Sequence, residues 1–258
     1  MAYSTPSNSK QAEQHPVNQE TEFERLSKEL AERELELATF ENELSVFEKR
    51  YARTVGILFA ELDFLESEIA RELLRLHPEE KYQQGLHRAE KKSRASQDAV
   101  NEKTRQEEKQ AYTPTEEIKN LYRKVAKTIH PDMAVNEAER AFRTDLMARA
   151  NAAYKIGDKQ ALEQILYEWE HRDEKSFLQE EGSKESKQLE RKIFQIKRRI
   201  KEIETRIGEL KKSGLYELLR KVEQAERDGR DLLDDMAKDL QRQILEAKKL
   251  LNSLKQQE

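Results

Sequence analysis

Aliphatic side chains recur every four and three residues, without a break, from Leu189 to Leu210. The positions are Leu189, Ile193, Ile196, Ile200, Ile203, Ile207 and Leu210. On an α-helix this spacing places them in one narrow stripe, which is the pattern of a coiled-coil seam. Such a helix is stable in water only when another helix covers the stripe. The spacing therefore predicts a long helix with a partner.

The stripe resumes after a break at Ser213-Gly214. It continues through Leu219, Val222, Ala225, Leu233, Met236, Leu240, Ile244, Ala247, Leu251 and Leu254. Because glycine takes a positive φ at little cost, Gly214 is either the turn of an antiparallel hairpin or a kink in one helix. We predict a C-terminal coiled coil over residues 173–258.

A second stripe occupies the N-terminal part of the chain. Its members are Phe23, Leu26, Leu30, Leu37, Phe40, Leu44, Phe47, Tyr51, Val55, Leu58, Leu62, Leu65, Ile69, Leu73 and Leu76. It has a gap at Arg33 and two four-four steps, at Tyr51 and Ile69. A helix of about 55 residues would extend on the order of 80 Å. The two stripes either cover each other within one chain or pair between chains in a homo-oligomer.

Polar segments flank the N-terminal stripe on both sides. Residues 1–20 include two prolines and little that could be buried, so we predict a disordered leader there. Residues 90–110 are almost all charged or polar, which predicts a solvated helix or a tether. Residues 21–112 are therefore interpreted as an N-terminal coiled coil followed by a charged helical linker.

Composition supports an elongated, all-α protein. Of the 258 residues, 36% are hydrophobic and 39% are charged, which is too little apolar matter for one large core. Only seven glycines and five prolines are present to make turns. We predict an all-α fold in which long coiled-coil helices flank a small helical domain.

Several classes of function are disfavoured by the residues present. The net charge of −4 comes from interspersed acids and bases, so no basic field predicts nucleic-acid binding. The absence of cysteine excludes disulfides and thiolate zinc sites, and the five histidines lack metal-ligand spacing. No apolar run approaches the length of a membrane span. We expect no enzyme activity, no metal and no cofactor, no membrane partner, and a cytoplasmic location.

The segment from 113 to 172 differs in kind from both stripes. Thr113-Pro114-Thr115 followed by two glutamates is a helix start, and Pro131 ends that helix. A second helix is predicted from about Asn136 to Gly157-Asp158. A third carries four large apolar residues, namely Leu162, Ile165, Leu166 and Trp169.

This helix, His-Pro-Asp, helix pattern resembles the J-domain of DnaJ-type co-chaperones. The resemblance is carried by Glu117-Ile118-Lys119, Leu121-Tyr122-Arg123-Lys124-Val125-Ala126, Ile129-His130-Pro131-Asp132, Asn151-Ala152-Ala153-Tyr154 and Gly157-Asp158. It covers some 55 of the 258 residues. The coiled-coil flanks are similar to those of bacterial J-domain proteins with no assigned task.

Two features of the family pattern are absent. The usual first helix is missing before Thr113, and the loop after Asp132 is brief. We expect either the charged helix near residues 100–112 or the helix around Trp169 to replace the missing one. The glycine/phenylalanine-rich linker and the cysteine-rich zinc module of larger members are also absent, which disfavours general client binding.

The resemblance implies docking on a DnaK-type ATPase chaperone and stimulation of its ATP hydrolysis. The implied contact residues are His130, Pro131 and Asp132 at an exposed tip, with Lys119, Tyr122, Arg123, Lys124 and Lys127 on the preceding helix. The coiled coils would select an unknown client protein or assembly. The alternative is a non-enzymatic coiled-coil scaffold that keeps a degenerate J-domain for packing, in which His130 caps a helix and the lysines form a solvated face.

Overall fold

The computed structural model describes residues 9–105, 112–172 and 185–257, and these residues form helices and no strand. The α-helices are α1 (Ser9–Tyr51), α2 (Ile57–Leu76), α3 (Glu80–Arg105), α4 (Glu116–Ile129), α5 (Glu137–Ile156), α6 (Lys159–Glu170), α7 (Glu185–Lys211), α8 (Gly214–Arg227) and α9 (Leu232–Lys255). The predicted all-α fold class is confirmed. Among the described helices, none has a segment both long and apolar enough to cross a lipid bilayer.

The chain divides into two compact units that cut across the predicted domains. One unit comprises Met1–Glu43 and Ala111–Lys211, and the other comprises Leu44–Gln110 and Lys212–Glu258. Each unit therefore combines part of the N-terminal stripe with part of the C-terminal stripe. The predicted boundaries at residues 20, 112 and 172 follow changes in composition, whereas the compact units follow the packing of the two stripes on each other.

In the first unit, α1 and α7 pack through the predicted stripes. Leu26 and Leu30 of α1 lie in one buried cluster with five isoleucines of α7, which are Ile193, Ile196, Ile200, Ile203 and Ile207. Exposed ion pairs flank this cluster, including Lys197 with Glu22 and Arg33 with Glu204. Of the two predicted arrangements, the structure has the one in which the stripes cover each other within one chain.

Helices α4, α5 and α6 form the core of the segment that resembles a J-domain, and α1 completes it. Ala31, Leu35 and Ala38 of α1 lie in the same buried cluster as Tyr122 and Tyr154. The missing first helix is thus replaced by α1, which we did not predict. Trp169 of α6 does lie in this core, whereas residues 106–111 of the other expected substitute lie outside the described residues.

In the second unit, α2 packs between α3 and α9, and α8 packs against α9. Its apolar cluster joins residues from both stripes, namely Phe47, Val55, Leu62, Leu65, Val222, Leu233, Leu240, Ile244 and Leu251. A π-helical turn, Ala52–Gly56, follows Tyr51. The turn coincides with the four-four step in the sequence, because the wider π turn keeps Val55 in the buried stripe.

The described part of the charged segment 90–110 is not a free tether. Helix α3 packs on α2, with Ser93 buried and Lys92 paired with Asp63 at 2.8 Å. Of the two predicted alternatives, the helix is confirmed for residues 90–105, and most of residues 90–101 are exposed apart from the side that packs on α2. Small and polar side chains make the contact between these helices, so an apolar stripe was the wrong signal to look for.

Two further predictions are corrected by the backbone. Gly214 is the first residue of α8, which Ser213 caps, and among the described residues only Gly157 and Gly229 have a positive φ. Gly214 is therefore not the positive-φ turn of the hairpin alternative, although the helix is interrupted there between Lys211 and Gly214, and the positive-φ glycine of this region is Gly229, between α8 and α9. Residues 9–20 belong to α1, because extending an existing helix is much easier than nucleating one. Residues 1–8 of the predicted leader lie outside the described residues.

Candidate functional site: the His-Pro-Asp loop

Helices α4 and α5 form an antiparallel pair that places the His-Pro-Asp triplet at their connection. Thr115 caps α4 by accepting from the Ile118 N–H, and Asn136 caps α5 by accepting from the Glu139 N–H. The antiparallel order follows from two contacts. The Tyr122 hydroxyl donates to Asn151 Oδ1 at 2.5 Å, and Arg143 reaches the last turn of α4. Helix start, Pro131 stop and second helix are as predicted.

Arg143 and Glu139 hold the ends of this loop from α5. The Arg143 guanidinium donates to the backbone oxygens of Thr128 at 3.0 Å and His130 at 3.3 Å. These oxygens have no partner within α4, because the helix ends there. The Glu139 carboxylate pairs with Arg143 at 2.8 Å and accepts from the Val135 N–H at 2.8 Å. The short loop is therefore clamped at both ends.

His130 is buried, with 3% of its surface exposed. Its Nδ1 accepts from the Asp132 N–H at 3.1 Å. Because Nδ1 is an acceptor, the neutral ring carries its proton on Nε2, which donates to Glu34 Oε1 at 3.1 Å. The expectation that His130 stands at an exposed tip is wrong. Pro131 turns the chain out of α4 as expected, but the ring points under α1.

Glu34 lies on α1 and joins three elements of the first unit. It is 5% exposed, and its Oε1 accepts from His130 Nε2 and from Arg199 Nε of α7, the latter at 2.8 Å. Burial alone would raise the pKa of this carboxyl. The hydrogen bonds from His130 and Arg199 outweigh burial and hold the Glu34 pKa below its ordinary value. Glu34 is therefore a buried carboxylate that requires both partners.

Helix α7 also covers the loop through polar side chains. In the amide orientation that satisfies both of its partners, Gln195 donates to the Asp132 backbone oxygen at 3.1 Å and accepts from Arg140 Nη2 at 3.1 Å. One turn earlier, burial and the nearby Arg143 charge lower the Lys192 pKa, against the opposing effect of the Glu139 carboxylate. Lys192, Gln195 and Arg199 recur at three and four residues, so they form one face of α7 directed at the loop.

The remaining predicted contact residues differ in accessibility. Tyr122 is fully buried, so its expected role as a surface contact is wrong; its hydroxyl is needed to pair with Asn151 in the core. Arg123 pairs with Glu32 of α1 at 2.7 Å, and Lys119 pairs with Glu116 at 2.9 Å. Lys124 and Lys127 are exposed, while Pro131 and Asp132 are half-buried.

The sequence did not predict that α1 covers the loop and the core of the domain. The residues of α1 that face the loop and core recur at helical spacing, and they are Ser27, Ala31, Glu34, Leu35, Ala38 and Asn42. All except Leu35 are small or polar, so they do not stand out beside the leucine stripe of the same helix. A second helical stripe of small residues next to the leucines was the signal that could have predicted that α1 packs on two sides.

The described residues contain no group of three or more His, Asp or Glu side chains arranged to hold a metal ion. Comparison of the chain with protein-family models, curated proteins and solved structures gives no significant match. Interpretation of the site therefore rests on its own residues and geometry.

Proposed function

We propose that this chain is a J-domain co-chaperone that docks on a DnaK-type ATPase chaperone through the His-Pro-Asp loop and stimulates its ATP hydrolysis. The observation that supports this most is the antiparallel α4–α5 pair with His130, Pro131 and Asp132 at its connection. Helices α4, α5 and α6 pack around one buried core that contains aromatic side chains, as the resemblance to J-domains implies.

The exposed charge of α4 is consistent with this role. Lys124 and Lys127 are exposed in the C-terminal half of α4, which leads to the loop. Positive charge at such a position increases the rate of encounter with an acidic surface. Lys119 and Arg123 could join them once their carboxylate partners on Glu116 and Glu32 are exchanged for those of the chaperone.

The long helices are proposed to select the client or assembly. Their leucine and isoleucine stripes are already covered within the chain, so a homo-oligomer is not needed to bury them. Selection would instead use outward-facing apolar side chains of the second unit, such as Ile57, Phe64 and Leu245. With this function we propose a cytoplasmic site of action, where ATP is available to the chaperone.

The burial of His130 supports a second candidate function. A histidine with both ring nitrogens bonded inside its own chain has the contacts of a structural residue. In that case the chain is a non-enzymatic helical scaffold in which the J-like segment serves only to pack α1 against α7.

Steady-state ATPase assays with DnaK-type chaperones of the same cell distinguish these functions. The full chain should raise the hydrolysis rate, and Asp132→Asn should abolish the increase because it removes the loop's charge at a half-buried site. Asp145→Asn, the same change on the exposed face of α5, is the matched control and should retain full stimulation. If no chaperone responds to the parent, or to a variant in which α1 and α7 no longer contact the loop, the scaffold function is favoured.

A further inference from the structure

The same chain that carries the His-Pro-Asp loop also covers it. Helix α1 supplies Glu34 to the His130 ring and Glu32 to Arg123, and α7 supplies Gln195 to the Asp132 backbone. A docking partner would have to contact groups that are occupied by these side chains. Since His130 is 97% hidden and both of its nitrogens are bonded, it has no contact to offer.

We propose that α1 and α7 hold the loop in a covered state that cannot dock, with the Glu34 carboxylate, held in place by Arg199, as the latch on the His130 ring. This inference rests on the proposed co-chaperone function and adds its regulation. Docking then requires that the contacts of α1 and α7 with the loop break. The apparent affinity for the chaperone is lowered by the fraction of molecules that are covered.

The chemistry of the two interfaces of α1 indicates which one opens. Toward α7, α1 presents Leu26 and Leu30 to a row of isoleucines. Toward the α4–α6 domain it presents Ala31, Leu35 and Ala38, which lie in the buried core, together with several polar groups. The polar contacts there are Glu34 with His130, Glu32 with Arg123, Thr39 with the Tyr154 hydroxyl, and Asn42 with the Tyr112 backbone oxygen.

Polar contacts exchange readily for water, whereas the leucine–isoleucine seam can be replaced only by another apolar surface. The polar contacts of α1 and α7 with the loop are therefore the part of the cover that opens.

Charge reversal at Arg199 tests the latch. Arg199→Glu places a second carboxylate beside Glu34, which has 5% of its surface exposed, and should drive the cover off. Arg198→Glu is the matched control, because it makes the same charge change on the solvent side of α7, where Arg198 pairs with Glu202 among the described residues. Arg199→Glu should increase hydrogen exchange in residues 130–136 and lower the concentration for half-maximal ATPase stimulation by about tenfold.

A covalent lock tests the same idea in the opposite direction. The chain has no cysteine, so a pair of cysteines can be bridged specifically with a short bis-maleimide. Arg140→Cys with Gln195→Cys ties α5 to α7 at the cover, where the two side chains meet at 3.1 Å. Arg149→Cys with Glu168→Cys ties α5 to α6 within the domain, at an ion pair of 2.8 Å. The first bridge should abolish stimulation and the second should leave it unchanged.

The outcomes separate the inference from the function on which it rests. If the parent stimulates fully and neither Arg199→Glu nor the α5–α7 bridge changes stimulation, the latch is overturned while the co-chaperone function stands. If Arg199→Glu raises exchange in the loop but no chain stimulates any chaperone, the function fails and the inference with it. Should Arg199→Glu unfold the domain, seen as loss of the native Trp169 emission, the bridge alone decides.

Discussion

Replacement of His130 by Gln should destabilise the first unit, in contrast to what an exposed loop residue would do. The ring is 3% exposed and makes two hydrogen bonds, one from the Asp132 N–H and one to the Glu34 carboxylate. A neutral hydrogen bond contributes about 1 kcal/mol and one to a charged group about 1.5–3 kcal/mol. A Gln amide can replace only one of the two, and Arg199 continues to pair with Glu34. We expect the free energy of unfolding to fall by about 2 kcal/mol.

Urea unfolding followed by tryptophan fluorescence measures this loss in the relevant unit. Trp169 is the single tryptophan of the chain and lies in the α4–α6 core, where Arg143 stacks on it at 4.1 Å. At a slope of about 2 kcal/mol per molar, a loss of about 2 kcal/mol lowers the unfolding midpoint by about 1 M.

His87→Gln is the matched control, because His87 is exposed on α3. A substitution at an exposed site usually changes stability by less than about 0.5 kcal/mol. If His130→Gln shifts the midpoint no more than His87→Gln does, then the loop is open in solution and both the burial argument and the proposed cover are refuted.

Two further outcomes follow from particular residues of the same unit. Gly157→Ala should lower the free energy of unfolding by more than about 1 kcal/mol in the same urea assay, because Gly157 has a φ of 70° and an added Cβ would meet the Tyr112 ring. Gly208→Ala, in open space on α7, should instead raise it by about 0.5–1 kcal/mol. A loss of stability at both positions would contradict this reasoning. Because the Glu34 pKa lies below its ordinary 4.5, its contribution is complete above that pH and is lost as the pH falls through the folded-state pKa. Glu34→Gln should therefore be less stable than the parent at neutral pH, and should lose less stability than the parent between about pH 5 and pH 3. Urea titrations at each pH measure both losses. Parallel pH profiles of the variant and the parent would count against the pairing of Glu34 with His130 and Arg199.

Local structure in the middle of the chain could be predicted from the sequence because its signals act within a few residues. Thr115 and Asn136 cap the helices, Pro131 ends α4, and Gly157 ends α5 in the left-handed conformation. A cap, a stop or a positive φ depends on the residue and its next neighbours, so tertiary packing did not alter it.

The stripes likewise predicted which residues would be buried, but not the unit in which each would lie. The isoleucines of α7 and the leucines of α1 are buried as expected. Every stripe of this spacing can pair with any other, so periodicity alone does not choose a partner. The pairing of each half of the N-terminal stripe with a different half of the C-terminal stripe became clear only in the tertiary structure.

The sequence by itself thus determined the helices of the middle segment, the caps at Thr115 and Asn136, the buried stripes and the position of His130-Pro131-Asp132 between α4 and α5. Only the tertiary structure decided that α1 replaces the missing first helix and that Glu34 and Arg199 enclose the His130 ring. The physical reason is that helix formation and capping are local, whereas the contact of Glu34 with His130 joins residues 96 positions apart. Such a contact depends on how α1 packs against the domain, and the small side chains that set this packing carry no strong hydrophobic pattern.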